Sequence, residues 1–339
     1  MKSNNPKILI VGEFRAPIHE QALFNAMINL KLEVDCFRTH NFFKNASDFS
    51  YRLQYHFQVG PNVFKLNSEL KKKLKNEYDI IFLYRPRLIY KSVIKNNKAK
   101  IFIYNNDDPF SKKYHFFYWF NFKKLLQLAN HIFAYRSKNL KDYKSIGLNN
   151  ISLLRSWYIK EANFSVKSKK TVDVVFIGHF ENDNRDYLFN FLIKNGINLE
   201  IYGPGWEKSK LYKFFKTKQA LFPPLTIDNY NQKLNESRLA IVLFSKLNND
   251  GYTRRCFEIP ATKTPMLVFK TLEILSLFNE NEAIFFETKE ELLFKVRYYL
   301  KNSKQAEKIG ISGFEKNLKS GNEVKDRVKQ IIKTFYSLS

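Results

Sequence analysis

Cysteine and metal-binding patterns are scarce in this chain. Its 339 residues include two cysteines, Cys36 and Cys256, which lie far apart in the sequence. They form no C-x-x-C pair, and the six histidines show no H-E-x-x-H spacing. We therefore expect no disulfide framework, no metal site and no protein-bound cofactor. A chain without structural disulfides is typical of the cytoplasm, which is the simplest location to expect.

Long apolar runs are also missing. The N-terminal stretch "MKSNNPKILIVGEF" lacks the apolar segment of a secretory signal, and no stretch reaches the roughly 18 to 20 apolar residues of a spanning helix. Any membrane contact is therefore expected to be peripheral, on the inner face. The sequence contains no complete G-x-G-x-x-G, no G-x-x-x-x-G-K-[ST] loop and no G-x-S-x-G elbow. The usual signatures of dinucleotide binding, P-loop nucleotide binding and serine hydrolysis are thus absent.

Acidic residues are few relative to basic ones. The chain has 57 Lys and Arg against 32 Asp and Glu, a net charge of +25, and residues 1–165 alone have 28 against 12. Such a charge attracts nucleic acid, anionic lipid or phosphorylated metabolites, although a lysine-rich composition by itself also produces it. Hydrophobic residues make up 44% of the chain, enough to fill ordinary cores.

Short apolar strands alternate with helical segments, and the pattern occurs twice. The runs "KILIVG" (7–12) and "VDVVFIG" (172–178) each begin a half with a buried strand that ends in glycine. This alternation predicts βαβ units around parallel sheets, so the fold class is α/β. Helical segments are expected at about 17–30, up to about 129, at 185–194 and from 289 onward. Further strands are expected at 34–37, 79–84, 100–106, 131–135, 151–154, 199–205, 239–244, 265–269 and 283–286.

The repeat predicts two Rossmann-like domains that face each other across a ligand-binding cleft. We place the domains at residues 1–165 and 166–320, and a final helix at 321–339 that packs back on the N-terminal domain. The aromatic stretch 114–126, with its basic end, is either a buried helix or an element that lies in a membrane interface.

The stretch "NNDGYTRRCFEIP" has the pattern of an anion site. Asp250 and Glu258 are separated by seven residues, with Arg254 and Arg255 between them. A helix that begins near Tyr252 would direct free N–H groups at an anion, and arginine is well suited to phosphate. Glu258 can then accept hydrogen bonds from a ribose diol. The alternative is a solvated helix start with an Arg–Asp pair.

Glycines and charged residues at other strand ends give further candidates. Gly12 and Gly178 allow a ligand to approach the backbone, or simply make tight turns. Arg185 adds charge at a helix start, and the turn in "IYGPGW" after Tyr202 is either a wall for a flat base or an ordinary turn.

The loop "YNNDDPF" and a histidine near the first helix supply candidates on the acceptor side. Asp107 and Asp108 can bind sugar hydroxyls or act as a base, or cap the turn before the proline. His19 is a candidate general base, with a capping or packing role as the alternative.

Several of these stretches resemble the CgeB-like glycosyltransferases, named after a spore-maturation protein. The resemblance is strongest over residues 238–300, in "GYTRRCFEIPATKTPMLVF" and "LFNENEAIFFETKEELLFKVRYYL". The stretches "YNNDDPF" and "VDVVFIGHF" also resemble their counterparts in the family.

The resemblance implies a GT-B fold, with an acceptor domain at 1–165 and a nucleotide-sugar donor domain at 166–320. By this likeness Glu258 matches the ribose-binding second acid of the family motif, and Arg255 matches an arginine that contacts the diphosphate. Asp250 stands where the family has a first acid, usually Glu, and "ATKTP" replaces a small, Gly-containing segment. The donor contacts so implied are Gly178, Arg185, Tyr202, Asp250, Gly251, Thr253, Arg254, Arg255 and Glu258.

The implied activity is transfer of a sugar from a UDP- or GDP-sugar to a glycan, lipid or protein acceptor. The implied reaction needs no metal. The nearest GT-B relatives suggest that it retains the anomeric configuration; if it inverts, a base such as His19 or an Asp should activate the acceptor hydroxyl. No RRM, KH or helix-turn-helix signature appears in the sequence, so we expect no nucleic acid as partner. On the acceptor side we expect Gly12 and Asp107, with His19 and Asp108 as candidate catalytic residues. A non-catalytic nucleotide- or sugar-binding module and a basic nucleic-acid-binding protein are the alternatives.

Overall fold

A computed structural model describes residues 5–111 and 116–338 and divides the chain into two α/β units. The first unit comprises the chain up to Ser156 together with the segment that begins at Val324. The second unit is Trp157–Glu323. Each unit has its own parallel sheet, as the two-fold alternation of strands and helices predicts.

The sheet of the first unit has six parallel strands in the order β2-β1-β3-β4-β5-β6. Every residue of β1 and β3 is buried, which explains why these strands are uninterrupted apolar runs: helices cover both faces of the sheet. The strands are β1 (Ile8–Gly12), β2 (Val34–Arg38), β3 (Ile80–Tyr84), β4 (Lys100–Asn105), β5 (His131–Ala134) and β6 (Ile151–Leu153).

Among the described residues up to 156, six α-helices accompany this sheet. The polar insert after β2 is helical, which the sequence pattern does not predict. The long helix expected up to residue 129 is only partly confirmed: a turn follows β4, residues 112–115 lie outside the described part, and a 3-10 helix (Phe116–Trp119) leads into a short α-helix. The helices are α1 (Glu20–Asn29), α2 (Asp48–Phe57), α3 (Pro61–Lys73), α4 (Lys91–Ile94), α5 (Phe120–Leu126) and α6 (Ser137–Ser145).

The second sheet is also six-stranded and parallel, in the order β12-β11-β10-β7-β8-β9. This is the doubly wound order, in which the chain direction across the sheet reverses between β7 and β10. The two-residue strand β9 is too short to show in the sequence pattern. The strands are β7 (Val172–Ile177), β8 (Leu199–Tyr202), β9 (Leu221–Phe222), β10 (Ser237–Val242), β11 (Met266–Phe269) and β12 (Ile284–Phe286).

The helical C-terminal region divides into three helices, and the last of them belongs to the first unit. That helix packs against α1, and Arg327 on it donates from Nε to the carbonyl oxygens of Arg155 and Ser156 at 2.9 and 3.1 Å. The helices from residue 157 onward are α7 (Arg185–Lys194), α8 (Tyr212–Thr217), α9 (Ile227–Glu236), α10 (Arg255–Ala261), α11 (Leu272–Leu275), α12 (Lys289–Lys301), α13 (Ser303–Lys319) and α14 (Val324–Ser337).

Each sheet has its own apolar core. In the second unit Trp206 is buried among Phe176, Phe189 and Phe215. In the first unit Trp119 and Phe122, from the aromatic stretch 114–126, lie in the core. The burial of these two residues agrees with the interpretation of the stretch as a buried helix. Tyr114 and His115 lie outside the described residues.

His131 links the stability of the first unit to pH. Its Nε2 lies 2.7 Å from Ser152 Oγ, and burial lowers its pKa to about 4. The folded state therefore favours neutral imidazole, whereas the unfolded chain takes up a proton near pH 6.5. We expect stability that is present above pH 6.5 to be lost as pH falls towards 4.

Urea unfolding of the wild type and of His131→Gln at pH 7.5 and pH 4.5 measures this effect. The wild type should lose more stability over that interval than the variant does. An equal loss in both proteins would assign the acid sensitivity to other groups.

Among the described residues, no helix is both long and apolar enough to cross a bilayer.

Candidate functional site

The second sheet has a cavity where the loops after β7, β10 and β11 meet. Its volume is about 470 Å³. Ligands of doubly wound sheets bind outside the carboxyl ends of the strands at the reversal point, which here lies between β7 and β10. The cavity is lined by Asp183, Asn184, Arg185, Leu188, Leu243, Phe244, Ser245, Lys246, Asn249, Asp250, Phe269 and Thr271.

Two arginines and a glutamate form a charged cluster at the same end of the sheet. Arg255 donates from Nε to the carbonyl oxygen of Ile177, the last residue of β7, at 2.9 Å. Its Nη1 lies 3.2 Å from Oε2 of Glu258, and Nε of Arg254 lies 2.6 Å from Oε1 of the same carboxylate. Tyr230, on α9, donates its hydroxyl to Oε2 at 3.0 Å. We call Arg254, Arg255, Glu258 and Tyr230 the arginine cluster.

The members of the arginine cluster differ in exposure. Glu258 is buried, while the Arg255 side chain is 29% exposed and that of Arg254 15%. The Arg255 guanidinium also lies over the Tyr230 ring, 5.2 Å from its centroid. Arg255 is therefore the more accessible of the two cations.

The start of α10 differs from the sequence expectation. The helix begins at Arg255, not near Tyr252, which is fully buried. Arg254 and Arg255 each form an ion pair with Glu258. Asp250 lines the cavity.

Gly251 and Thr253 shape the loop that leads into α10. Thr271 donates its hydroxyl to the carbonyl oxygen of Gly251 at 2.6 Å, and a Cβ on Gly251 would lie 2.7 Å from that of Glu273. The Thr253 hydroxyl accepts from the Arg255 N–H at 3.2 Å, which holds the first turn of the helix.

Gly178 and the turn after β8 pack tightly against each other. The N–H of Gly178 donates to the Tyr202 carbonyl at 2.8 Å, and Trp206 Nε1 donates to the Gly178 carbonyl at 3.0 Å. Gly203, with a φ of +139°, leaves no room for a side chain, because a Cβ there would lie 2.2 Å from the Gly178 carbonyl oxygen. The turn in "IYGPGW" therefore supports the loop after β7.

The Tyr202 side chain belongs to a separate polar group. Its hydroxyl donates to Glu200 Oε2 at 2.6 Å, and its ring stacks on Phe222 with centroids 4.9 Å apart. Burial, together with the Glu200 carboxylate, raises the pKa of Tyr202 to about 12.

Arg185 holds the loop after β7 in shape. It is buried at the start of α7, and its Nε and Nη2 each donate to one oxygen of Asp183 at 2.8 Å. Its Nη1 donates to the His179 carbonyl at 2.7 Å. Glu181, 3.6 Å away, remains ionised: burial opposes this, but the His179 hydrogen bond and the Arg185 charge lower its pKa. The guanidinium thus has acceptors within its own loop.

The first unit has a second charged cluster, at the carboxyl ends of β1 and β3. Arg85 donates from Nη2 to Glu13 Oε1 at 3.0 Å and from Nη1 to Asp107 Oδ2 at 3.3 Å. Tyr55, on α2, hydrogen bonds to the same Glu13 oxygen. Burial opposes ionisation of Glu13, but the Arg85 charge lowers its pKa. Arg85 has a φ of +46°, which side chains usually avoid and which is most common at functional sites.

The other sequence candidates of the first unit lie at or near the ends of its strands. Asp107 belongs to this cluster, and His19 Nδ1 lies 3.2 Å from the Tyr84 hydroxyl at the end of β3. Gly12 is crowded, since a Cβ on it would lie 2.5 Å from Glu20 Cγ.

Asp108 is fully buried. Its Oδ1 accepts from the N–H of Phe110 and from Asn139 Nδ2 at 2.9 and 2.8 Å. These contacts favour the capping alternative over the role of a base.

Four residues of these clusters are missed by sequence reasoning. Glu13 and Arg85 directly follow β1 and β3, so their positions at strand ends are a usable signal. Tyr55 and Tyr230 come from helices distant in sequence, and no local pattern indicates them.

Comparison with known proteins places a family match on the part of the chain that holds the arginine cluster. Residues 185–333 match a family model described as glycosyl transferase-like. The match covers less than half of the chain and lies mostly in the second unit.

One curated relative acts on DNA by name. The chain is 26% identical over 149 residues to the DNA beta-glucosyltransferase of Enterobacteria phage T4. That stretch covers 43% of this chain and 38% of the length of the phage protein.

Solved structures resemble nearly the whole chain. The sucrose-phosphate synthase of Thermosynechococcus elongatus has a TM-score of 0.75 at 10% identity, over 98% of this chain and 99% of that one. The Anabaena protein HepE in complex with UDP-glucose has a TM-score of 0.71 at 10% identity, over 98% and 100%. The chain therefore has the GT-B fold, and its residues 185–333 match the glycosyl transferase-like family.

Proposed function

We propose that this protein transfers a sugar from a nucleoside-diphosphate-sugar donor, which binds at the carboxyl end of the second sheet. The observation that carries the proposal is the arginine cluster, anchored to the end of β7 by the hydrogen bond between Arg255 and Ile177. The cluster combines cations suited to a diphosphate with a carboxylate suited to ribose hydroxyls. The family match includes these residues, and the UDP-glucose complex of HepE supports a uridine nucleotide.

The reaction we propose begins with attack by an acceptor hydroxyl oxygen on the anomeric carbon of the donor sugar. The bond from that carbon to the β-phosphate oxygen breaks, and the hydroxyl proton passes to a base or to the leaving phosphate. The nucleoside diphosphate leaves with the bonding electron pair, and Arg255 stabilises the negative charge that develops on it.

Glu258 and Arg255 act together in this scheme. The carboxylate contacts Arg255 through Oε2 and Arg254 through Oε1. A diphosphate that accepts from Nη1 of Arg255 leaves the Nε bond to Ile177 in place and frees one acceptor position of Oε2 for the ribose diol. Arg254 supplies a second positive charge, and the scheme uses no divalent metal.

We assign acceptor recognition to the first unit, through Glu13, Asp107 and His19. Carboxylates bind sugar hydroxyls well, and we propose His19 as the group that accepts a proton if the reaction inverts configuration. The resemblance to CgeB-like enzymes favours retention and an acceptor that is a glycan, lipid or protein.

DNA whose bases carry a hydroxyl group is a second candidate acceptor, contrary to the sequence-based expectation. The similarity to the T4 DNA beta-glucosyltransferase and the net charge of +25 favour it.

Release of nucleoside diphosphate from UDP- and GDP-sugars tests the proposal. We expect a UDP-sugar to be consumed slowly in buffer and faster with the correct acceptor, and NMR of the product reports its anomeric configuration. Acceleration by DNA whose bases carry a free hydroxyl group, but not by unmodified DNA, would select the second acceptor, and it should disappear at high salt. Binding of UDP without turnover under any condition would leave a nucleotide-binding module.

A further inference from the structure

Helix α2 has an apolar stripe on its exposed side. Phe49, Leu53 and Phe57 recur at a spacing of four and are 76%, 47% and 62% exposed. The side that faces the protein carries Tyr51 and Tyr55, which pack against the core, and the buried Gln54. A surface helix normally has one apolar stripe, directed at the core, so the second, outward stripe is unusual.

Hydrogen bonds fix the orientation of α2. Nε2 of Gln58, which follows the helix, donates to the carbonyl oxygens of Phe117 and Tyr118 at 2.7 and 2.8 Å. Gln54 accepts from the N–H of Asn62 at 2.9 Å. Rotating the helix to bury its phenylalanines would break these partly buried hydrogen bonds, so they stabilise the outward orientation of the apolar stripe.

Further exposed phenylalanines lie on the two segments that hydrogen bond to Gln54 and Gln58. Phe64, near the start of α3, is 54% exposed, and Phe117, held beside the end of α2 by Gln58, is 50% exposed. We call the surface formed by Phe49, Leu53, Phe57, Phe64 and Phe117 the α2 face.

Cations accompany the α2 face. Arg52, Lys65, Lys123 and Lys124 come from its three segments and are exposed. Lys124 Nζ lies 3.8 Å from the centroid of the exposed Phe120 ring. Within residues 5–111 and 116–338, none of these four cations is paired with a carboxylate.

We infer that the α2 face docks on an anionic lipid bilayer. Helices that lie in the membrane interface combine an apolar face with flanking Lys and Arg, and anionic lipids attract the cations. Phenylalanine offers no donor to a nucleic-acid phosphate, so this face suits lipid better than DNA.

Docking would bring the first-unit cluster close to the membrane. Tyr55, on the inward side of the same helix, hydrogen bonds to Glu13. A helix with its side chains is about 10–12 Å across, so the cluster would lie about that far from the lipid surface. This inference does not depend on sugar transfer, because the test below uses no donor.

The test is co-sedimentation of the full chain with vesicles of phosphatidylcholine alone or with one part phosphatidylglycerol to four. We expect binding to the anionic vesicles that weakens with salt. Phe49→Ser combined with Phe57→Ser should reduce binding to the anionic vesicles about tenfold or more, because two phenylalanine rings are then no longer buried in the membrane interface. Phe294→Ser, at a 67% exposed phenylalanine of α12, is the matched control and should bind like the wild type.

The double variant should keep its fold and its UDP binding, as measured by circular dichroism and titration, because the replaced rings are exposed.

Three outcomes would overturn the inference. Absent binding of the wild type, or equal binding by the double variant, removes the membrane role. Self-association or DNA binding that only the double variant loses would assign the α2 face to a second copy or to nucleic acid instead.

Discussion

Replacing Arg255 by alanine is expected to weaken UDP binding about 100-fold. A hydrogen bond to a charged group contributes about 1.5–3 kcal/mol, and each 1.4 kcal/mol changes the dissociation constant tenfold. Arg255 is the more exposed arginine of its cluster and is anchored to the end of β7. Isothermal titration of UDP into wild type and variant measures the difference.

The fold should survive this substitution. Glu258 keeps its contacts with Arg254 and Tyr230, so its buried carboxylate is not left alone. Arg238→Ala is the matched control, because it removes an exposed arginine of the same unit that pairs only with Asp173 at 3.5 Å. Equal affinity in the wild type and Arg255→Ala would refute the diphosphate role.

The second large effect is expected on stability, from Gly203→Ala. The new Cβ would lie 2.2 Å from the Gly178 carbonyl oxygen, and a φ of +139° is open almost only to glycine. Neither backbone segment is free to yield, since Trp206 and Tyr202 hold the Gly178 loop by hydrogen bonds. We expect a loss of about 3 kcal/mol in the free energy of unfolding of the second unit.

Gly196→Ala separates crowding from backbone strain. Gly196 also has a positive φ, +80°, but nothing lies within 4 Å of a Cβ built there. Its loss should be about 1 kcal/mol, from conformation alone. If urea unfolding gave similar losses of unfolding free energy for Gly203→Ala and Gly196→Ala, the close approach of the new Cβ to the Gly178 carbonyl would not be destabilising.

The architecture could be predicted because its signals are local. Strands β1 and β7 are apolar runs that end at glycine, and hydrophobic periodicity identifies a strand without knowledge of its neighbours. The two-residue β9 and the helices α2 and α3 were missed, since their patterns are short or atypical. Helix α2 has no single apolar stripe in its sequence, because Phe49, Leu53 and Phe57 face outward while Tyr51 and Tyr55 face the core.

The sequence alone specifies two parallel α/β units and the charged motif from Asp250 to Glu258, because strand periodicity and motif spacing depend on residues close together in the chain. The tertiary structure alone decides the partners of those charges: Tyr230 joins Glu258 across 28 positions, and Glu13 meets Arg85 across 72. Tertiary packing also buries Asp108, and it pairs Arg185 with Asp183 of the same loop. Burial and pairing depend on what other segments bring to the same place, and no local pattern contains that information.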